Sequence, residues 1–588
     1  MTARAGRRAL ASLLFVTAAA TAATVPGDLR TIGEQSGYTR TGRYDEVERL
    51  CADYAARWPR EVRCTEFGRT PEGRPMLALV ASADGALDPA TAAARGRPVL
   101  LFQGGIHAGE IDGKDAGFLA LRELLDGSRL PGALGRVTVV FVPVFNVDGH
   151  ERYGRWNRPN QRGPEEMGWR TTSQNLNLNR DYVKAEAPEM RAMLGLLRSW
   201  DPILYVDLHV TDGAQFQPDI SVQVEPCHGW EPGLARAGCG LRDRVLADLV
   251  RDGFLALPFY PSFMKEDRPE SGFNNWVSDP RYSTSYWATR NRFAALVETH
   301  SWKPYPRRVA ATHATILSMV GLAASEGSTW LAEARAADQR AARLAGTPVA
   351  LSYRNTDRTE TIEFPGYAYV RERSAVSGRD WIRYDESKPE IWRVPFYPEV
   401  VPKLEVTAPA HGYVVPAAWA PLVGERLALH GLRYEVIGTT APEEAVEVFR
   451  ATAVTQASSS FEGRVGLTVE GRWMPERRAV PAGSLFVPIA QPGARLVMSL
   501  LEPQAPDSLL SWGYFDAAFE QKEYMENYVL EAVAREMLAT DPAVRADFER
   551  RLRDDAAFAA DPDARLDYFH KRHPSRDDRY RLYPVYRR

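Results

Sequence analysis

An uninterrupted apolar run that ends on two glycines, a histidine and a glutamate constrains this chain more than any other stretch. Residues 99–103 read Val-Leu-Leu-Phe-Gln, and Gly104-Gly105-Ile106-His107-Ala108-Gly109-Glu110 follows directly. A run this apolar, without alternation, predicts a strand buried on both faces of an open α/β sheet. In such sheets the side chains at the carboxyl ends of neighbouring strands converge, and that is where ligands bind. His107 and Glu110 are therefore placed at the end of a sheet strand, where chemistry is kept. A neutral imidazole and a carboxylate three residues apart can both hold Zn²⁺, which takes nitrogen and carboxylate oxygen in a tetrahedral shell. Alone the pair is weak evidence. With ten histidines in the chain a second His-x-x-Glu does occur, His228-Gly229-Trp230-Glu231, in a Gly- and Pro-containing loop beside Cys227. It has no companions, and serves as an internal control.

The surrounding pattern alternates strand with helix. Helical spacing over 44–57 leads to extended runs at 62–67 and 76–80, joined by the turn Gly68-Arg69-Thr70-Pro71-Glu72-Gly73-Arg74-Pro75. A helix over 114–125 follows the first ligands, then a strand over 137–144, a helix from Pro188, and the strands 203–209 and 293–298. The fold class is α/β: a mixed, largely parallel sheet with helices on both faces. The polar segment 150–179, rich in Arg, Asn, Trp and Gly, is longer than a connector needs to be and reads as a binding loop. Helices are expected over 309–324 and 329–344, and Gly346-Thr347-Pro348 marks a boundary. Short alternating runs from 349 to 503 predict an antiparallel β domain. The chain's end predicts helices at 519–538 and after Asp541-Pro542 and Asp561-Pro562. The expected units are a signal peptide over 1–23, a catalytic domain over 24–345, a β-rich accessory domain over 346–505 and a helical region over 506–588. The linker at 346–348 is too short to leave the accessory domain loosely tethered.

The charge balance, 73 basic against 76 acidic residues, provides no net field for nucleic acid or an anionic membrane. Arg4, Arg7 and Arg8, the uncharged stretch 9–20 and the small-residue site Ala20-Thr21-Ala22 have the order of a cleaved secretory signal, and no later run is long enough to span a membrane. Secretion or a periplasmic location follows, an oxidising space in which four cysteines can pair. The short loops favour Cys51 with Cys64 and Cys227 with Cys239 among three connectivities.

A catalytic zinc keeps three protein ligands and one open position. His209, closing the strand 203–208, supplies the third ligand, and Glu298 closes another strand with a carboxylate a core strand would not normally keep. Together with Gly68–Pro75, Asn146-Val147-Asp148-Gly149, Asn177-Leu178-Asn179-Arg180 and Asp207-Leu208-His209, in this order, the chain resembles the zinc carboxypeptidases of the carboxypeptidase A type, the M14 peptidases, over roughly residues 44–324. The resemblance implies one zinc per chain on His107, Glu110 and His209. It implies Glu298 as general base and acid, and Asn179 with Arg180 as the grip on a substrate's terminal carboxylate. It also implies an oxyanion-stabilising arginine, Arg170 in Trp169-Arg170 or Arg158 in Trp156-Asn157-Arg158, and a substrate-side tyrosine, Tyr282 with Tyr286 as rival. Relatives commonly carry Asp where this chain has Asn177, two residues before Asn179, to orient a zinc histidine. An amide oxygen can accept the same proton, and Asp207, on the face of His209, can take such a role too.

The expected activity is that of a secreted zinc carboxypeptidase acting on peptides with a free terminal carboxylate. Rivals are a zinc amidohydrolase or deacylase, a cell-wall peptide hydrolase of the same fold, and a catalytically weak peptide- or glycan-binding protein. The Asn179-Arg180 pair favours the first, since a planar guanidinium fork matches a carboxylate.

Overall fold

The computed structural model describes residues 27–588, so the expected signal peptide lies outside the described residues. The strands up to residue 300 are β1 (Val62–Arg69), β2 (Pro75–Ala81), β3 (Val99–Gly104), β4 (Thr138–Val142), β5 (Leu204–Thr211), β6 (Ile220–Glu225), β7 (Ala256–Pro258), β8 (Phe273–Asn274) and β9 (Phe293–His300). Every residue of β3 is buried, as its apolar run requires. It pairs in parallel with β4 on one side and β5 on the other, and β5 pairs in parallel with β9. The full order is β1-β2-β4-β3-β5-β9-β6-β7, with antiparallel pairing at β1–β2, β2–β4 and β9–β6. The chain leaves β3 for β4 on one side and later returns to β5 on the other. The ends of β3 and β5 thus flank a topological switch point, where open sheets place their ligands.

Register decides which side chains meet. Phe102 lies opposite Phe141 and Val206, so these three share a face, and Phe118 of the helix Asp112–Asp126 packs edge-on against Phe141 there, 5.4 Å between centroids. Gln103, Tyr205, Asp207 and His209 belong to the opposite face, where Trp287 packs on Tyr205. The mixed, largely parallel sheet with helices is thus the fold class expected.

Two expected helices, 309–324 and 329–344, are one helix, Tyr305–Ala341. Ser325-Glu326-Gly327-Ser328 looked like a break, but Gly327 packs on Pro98, where a Cβ would come within 2.7 Å of the ring. Its missing side chain serves close packing and not a turn.

Beyond this helix run β10 (Pro348–Asn355), β11 (Glu360–Arg373), β12 (Asp380–Tyr397), β13 (Val400–Thr407), β14 (Gly412–Val415), β15 (Glu435–Val436), β16 (Ala441–Phe461), β17 (Arg464–Val480), β18 (Leu485–Pro488) and β19 (Tyr586–Arg587). β11 and β12 form a long hairpin, extended by β8 in parallel with β12. A six-stranded sheet has the order β15-β18-β14-β19-β16-β17. The helices Ala420–Leu429 and Ala494–Leu501 interrupt this region, which is therefore not built of strands alone. The end of the chain differs from the expected run of helix. Helix begins at Asn527 and not at Phe519; Glu520, Glu523 and Glu526, each three apart, would stack like charges on one face. Asp541 and Asp561 cap the next helices through their carboxylates, as their Asp-Pro pairs imply. The chain then returns to the sheet as β19, between β14 and β16.

One hydrophobic cluster runs from Tyr44 to Val585 and joins Leu197 and Trp200 to Tyr413, Leu427 and Leu496. The disulfides are Cys51–Cys64 and Cys227–Cys239, the pairing expected. Because the core is shared, a fragment of residues 27–345 should expose apolar surface and lose cooperative unfolding. A melting temperature within a few degrees of the full chain, by calorimetry, would contradict a shared core.

Candidate metal centre and carboxylate-binding cavity

β3 ends at Gly104, and Gly105 turns the chain at φ 61°, a conformation open to glycine. The turn closes with the Glu110 amide donating to the His107 carbonyl at 2.9 Å, which brings both side chains over the sheet's edge. His107 Nδ1 lies 2.9 Å from Glu110 Oε1, and His209 Nδ1, from the end of β5, lies 2.9 Å from Glu110 Oε2. Ligand atoms of His107, Glu110 and His209 lie within 4.8 Å of one another, and all three residues are buried.

Each outer nitrogen faces an acceptor. Asn177 Oδ1 accepts the Asn179 amide at 3.0 Å, so this atom is the oxygen, and it lies 3.1 Å from His107 Nε2. Nδ1 faces the Glu110 carboxylate and Nε2 the Asn177 oxygen, so a cation held between His107 and Glu110 would take the Nδ1 lone pair and leave the proton on Nε2. His209 Nε2 lies 2.9 Å from Asp207 Oδ2, while Gln103 donates to Asp207 Oδ1 at 2.8 Å. Burial pushes the His107 imidazolium down to about 4, so the ring is neutral. The carboxylates of Asp207 and Glu110 hold the His209 imidazolium well above its usual range against the burial that lowers it, so a cation there would take the place of a proton. Two imidazole nitrogens and a carboxylate around one buried point fit Zn²⁺.

Glu298 lies opposite His209 in the β5–β9 register. Its Oε2 is buried without a hydrogen-bond partner, and burial, reinforced by Glu110 and Asp207 against His209, pushes the carboxyl up to about 8. Arg180 stands across the cavity with its guanidinium 4.3 Å over the Tyr282 ring and donates to the Asn179 carbonyl at 2.7 Å. Burial pulls its pKa down, and among the described residues no carboxylate lies within ion-pairing distance of it. Arg170, Asn179, Arg180, Tyr282 and Glu298 line one cavity of about 290 Å³ with the three ligand residues.

The alternatives separate by position. Arg158 is buried between Glu110 Oε1 at 3.0 Å and Asp212 Oδ1 at 2.9 Å, whereas Arg170 reaches Glu110 Oε1 only at 3.5 Å and lines the cavity. Tyr286 is buried away from it, hydrogen-bonded to His430 Nδ1 at 2.9 Å. In the control pair, Glu231 is tied to Arg340 at 2.8 Å and His228 faces Arg242 at 3.1 Å, with no third ligand residue among the described residues.

Two contacts from the far end of the chain escaped sequence reasoning. Glu462, at the tip of the β16–β17 hairpin with φ 49°, accepts the Asn177 amide at 2.9 Å. Asp507 accepts the Arg281 amide at 2.7 Å, beside Tyr282. Phe461-Glu462-Gly463-Arg464 does read as a turn between alternating strands, but no local pattern says which distant loop it touches.

Residues 47–220 match the family model described as Zinc carboxypeptidase. The matched segment contains His107, Glu110 and His209 and supports the resemblance to the zinc carboxypeptidases. Carboxypeptidase 2 of Trichophyton rubrum is 24% identical over 479 residues, spanning 76% of this chain and 79% of that relative. Carboxypeptidase 2 of Trichophyton tonsurans is 34% identical over 103 residues, 17% of this chain and 18% of that relative. Among solved structures, a putative carboxypeptidase A from Shewanella denitrificans OS-217 is 18% identical with a TM-score of 0.36, over 48% of this chain and 70% of that one. The enzyme class is that of a zinc metallopeptidase.

Glu462→Ala releases the amide that positions Asn177 and should weaken Zn²⁺ binding about tenfold, the low end for lost outer-sphere partners. Competition with a chromophoric chelator measures it. An unchanged affinity would show that the hairpin tip does not hold Asn177 in place.

Proposed function

We propose that the chain is an exported zinc carboxypeptidase that releases the last residue of peptides with a free terminal carboxylate. The observation that carries this is Arg180, a largely buried guanidinium with no carboxylate partner, in the same cavity as the metal-ligand set. A planar fork left unpaired in this way is matched by a planar anion, and a peptide's terminal carboxylate is one.

In this reading His107, Glu110 and His209 hold one zinc per chain, with the Asn177 oxygen turned to the outer nitrogen of His107 and the Asp207 carboxylate beside that of His209. Zinc, when bound, polarises a carbonyl and makes water acidic enough to lose a proton near neutral pH. Arg180 and Asn179 bind the substrate's carboxylate, which leaves the last peptide bond beside Glu298. Tyr282 stacks under the Arg180 plane and holds it at the cavity wall. Glu298 accepts a proton from water at its unpartnered Oε2 and passes it to the leaving amine. A divalent cation nearby favours the ionised carboxylate, opposing the burial that raises its pKa. Arg170 donates to the oxygen on which charge develops. Two disulfides support export, being stable in an oxidising compartment, and no helix among the described residues is long and apolar enough to cross a membrane.

Glu298→Gln keeps the shape and removes the proton acceptor. Turnover should fall by about 10²–10⁴-fold with zinc content by atomic absorption unchanged. Activity within about tenfold of the parent would sink the assignment, and lost zinc would make Glu298 a ligand.

Arg180→Lys keeps a charge but not the fork. kcat/KM on free-acid peptides should drop by roughly tenfold or more, the size of one lost charge-assisted hydrogen bond, while amidated peptides stay at their low parental rate. Equal losses on both would assign Arg180 a structural task.

A further inference from the structure

A trough of about 700 Å³ opens beside the metal cavity and shares Thr211, Asp212, Phe259, Pro261 and Glu298 with it. Its walls come from two distant parts of the chain. Phe216, Tyr260 and His300 come from the part of the chain that builds the eight-stranded sheet, whereas Phe364, Trp381 and Tyr384 come from the β11–β12 hairpin.

The hairpin is fixed in this position. β12 pairs with β8 at Phe396↔Phe273 and Tyr397↔Asn274, and Gln217 Nε2 donates to the Gly366 carbonyl at 2.6 Å. Phe364 packs on Phe273 with centroids 4.5 Å apart and edge-on against Phe216 at 5.5 Å. Phe216 in turn stacks on His300 at 3.8 Å.

Three features define what such a trough would take. Aromatic side chains from both segments line it together with the charged groups of Asp212, Glu266, Asp267, Glu298 and Arg383, and Trp381 leaves 42% of its surface in solvent beside them. Two buried polar atoms on the walls, Tyr384 Oη and His300 Nδ1, have no hydrogen-bond partner. Aromatic walls broken by unpartnered polar atoms and by charged side chains suit a peptide, which brings apolar side chains and backbone amides together. Direction follows from which residues line which space. Asn179, Arg180 and Tyr282 line only the smaller cavity, and Glu298 stands at the junction. A peptide whose carboxylate lies on Arg180 and whose last amide lies beside Glu298 continues into the trough with its upstream residues.

We propose that this trough binds substrate residues upstream of the scissile bond, that it favours aromatic side chains there, and that the β11–β12 hairpin supplies this selectivity. The proposal rests on the carboxypeptidase reading for its direction.

The test is calorimetric titration of the full chain carrying Glu298→Gln, loaded with zinc, with two peptides of equal length and identical last two residues. One carries Phe-Phe at the preceding two positions and the other Gly-Gly. The Phe-Phe peptide should bind at least tenfold more tightly. Adding Trp381→Ala should remove most of that advantage, and its exposure leaves the fold unaffected. Adding Phe216→Ala, on the opposite wall, should do the same. Equal affinities for the two peptides, or an advantage that both variants retain, overturns the proposal. The same peptides with Glu298 restored separate this outcome from failure of the underlying reading. Tighter binding of Phe-Phe without release of a last residue from either peptide keeps the trough and refutes the carboxypeptidase. Release from both, with equal affinities and equal kcat/KM, does the reverse.

Discussion

The Asn177 side-chain oxygen is the atom on which the centre turns. It faces His107 Nε2 and receives the Asn179 amide, so one acceptor orients His107 and opens the short turn that presents Asn179 and Arg180. An imidazole N–H buried without that acceptor would cost about 1–3 kcal/mol. A carboxylate here would make His107 a more basic ligand, whereas the amide orients the ring without adding charge. Asn177 is itself held from 285 residues away, by Glu462 at a hairpin tip. His107, the Asn179-Arg180 turn and the carboxy-terminal sheet are therefore coupled through one residue.

The other half of the centre depends on strand register. His209 and Glu298 face each other because β5 and β9 pair in parallel from Leu204↔Phe293 to Thr211↔His300. Side chains alternate with a period of two, so a slip of one residue would turn Glu298 to the far face while leaving His209 in place. Full burial of the apolar residues flanking both positions, Val206 and Leu208 on β5 and Ala295 and Val297 on β9, makes that slip expensive. The catalytic geometry is thus a consequence of core packing.

This division explains what could be read from the chain alone. The strand ends were legible because apolar runs that stop at Gly-Gly, at His209 or at Glu298 are local patterns, and so were the Asp-Pro helix caps and the disulfides. The continuous helix through Gly327 was not, because only contact with Pro98 distinguishes a packing glycine from a breaking one. The delayed helix at Asn527 required weighing like-charge spacing against helical periodicity. Glu462, Asp507 and the β11–β12 wall of the trough were illegible in principle. Each joins segments far apart in the chain, 285 residues for Glu462, 226 for Asp507 and 149 for Gln217 with Gly366, and nothing in a hairpin's own alternation encodes the loop its tip will meet.

Two half-buried side chains, Arg180 and Glu298, line one cavity without an ion-pair partner and do not pair with each other. The shifts express the same penalty from both sides: burial lowers the arginine and raises the glutamate. Arg180 is restrained by the Tyr282 face and the Asn179 carbonyl, and Glu298 by the β9 backbone, so neither can cross to form the pair that would relieve both. An unpaired buried charge survives only where the surrounding structure over-determines its position. Here that structure includes Glu462 and Asp507, the β16–β17 hairpin and a core that runs to Val585. The carboxy-terminal region, absent from the matched family segment, thus holds the backbone beside Asn179 and Tyr282, which line the same cavity. A carboxylate arriving at Arg180 and a cation arriving beside Glu298 remove the penalty that the free chain carries, and binding gains by that difference.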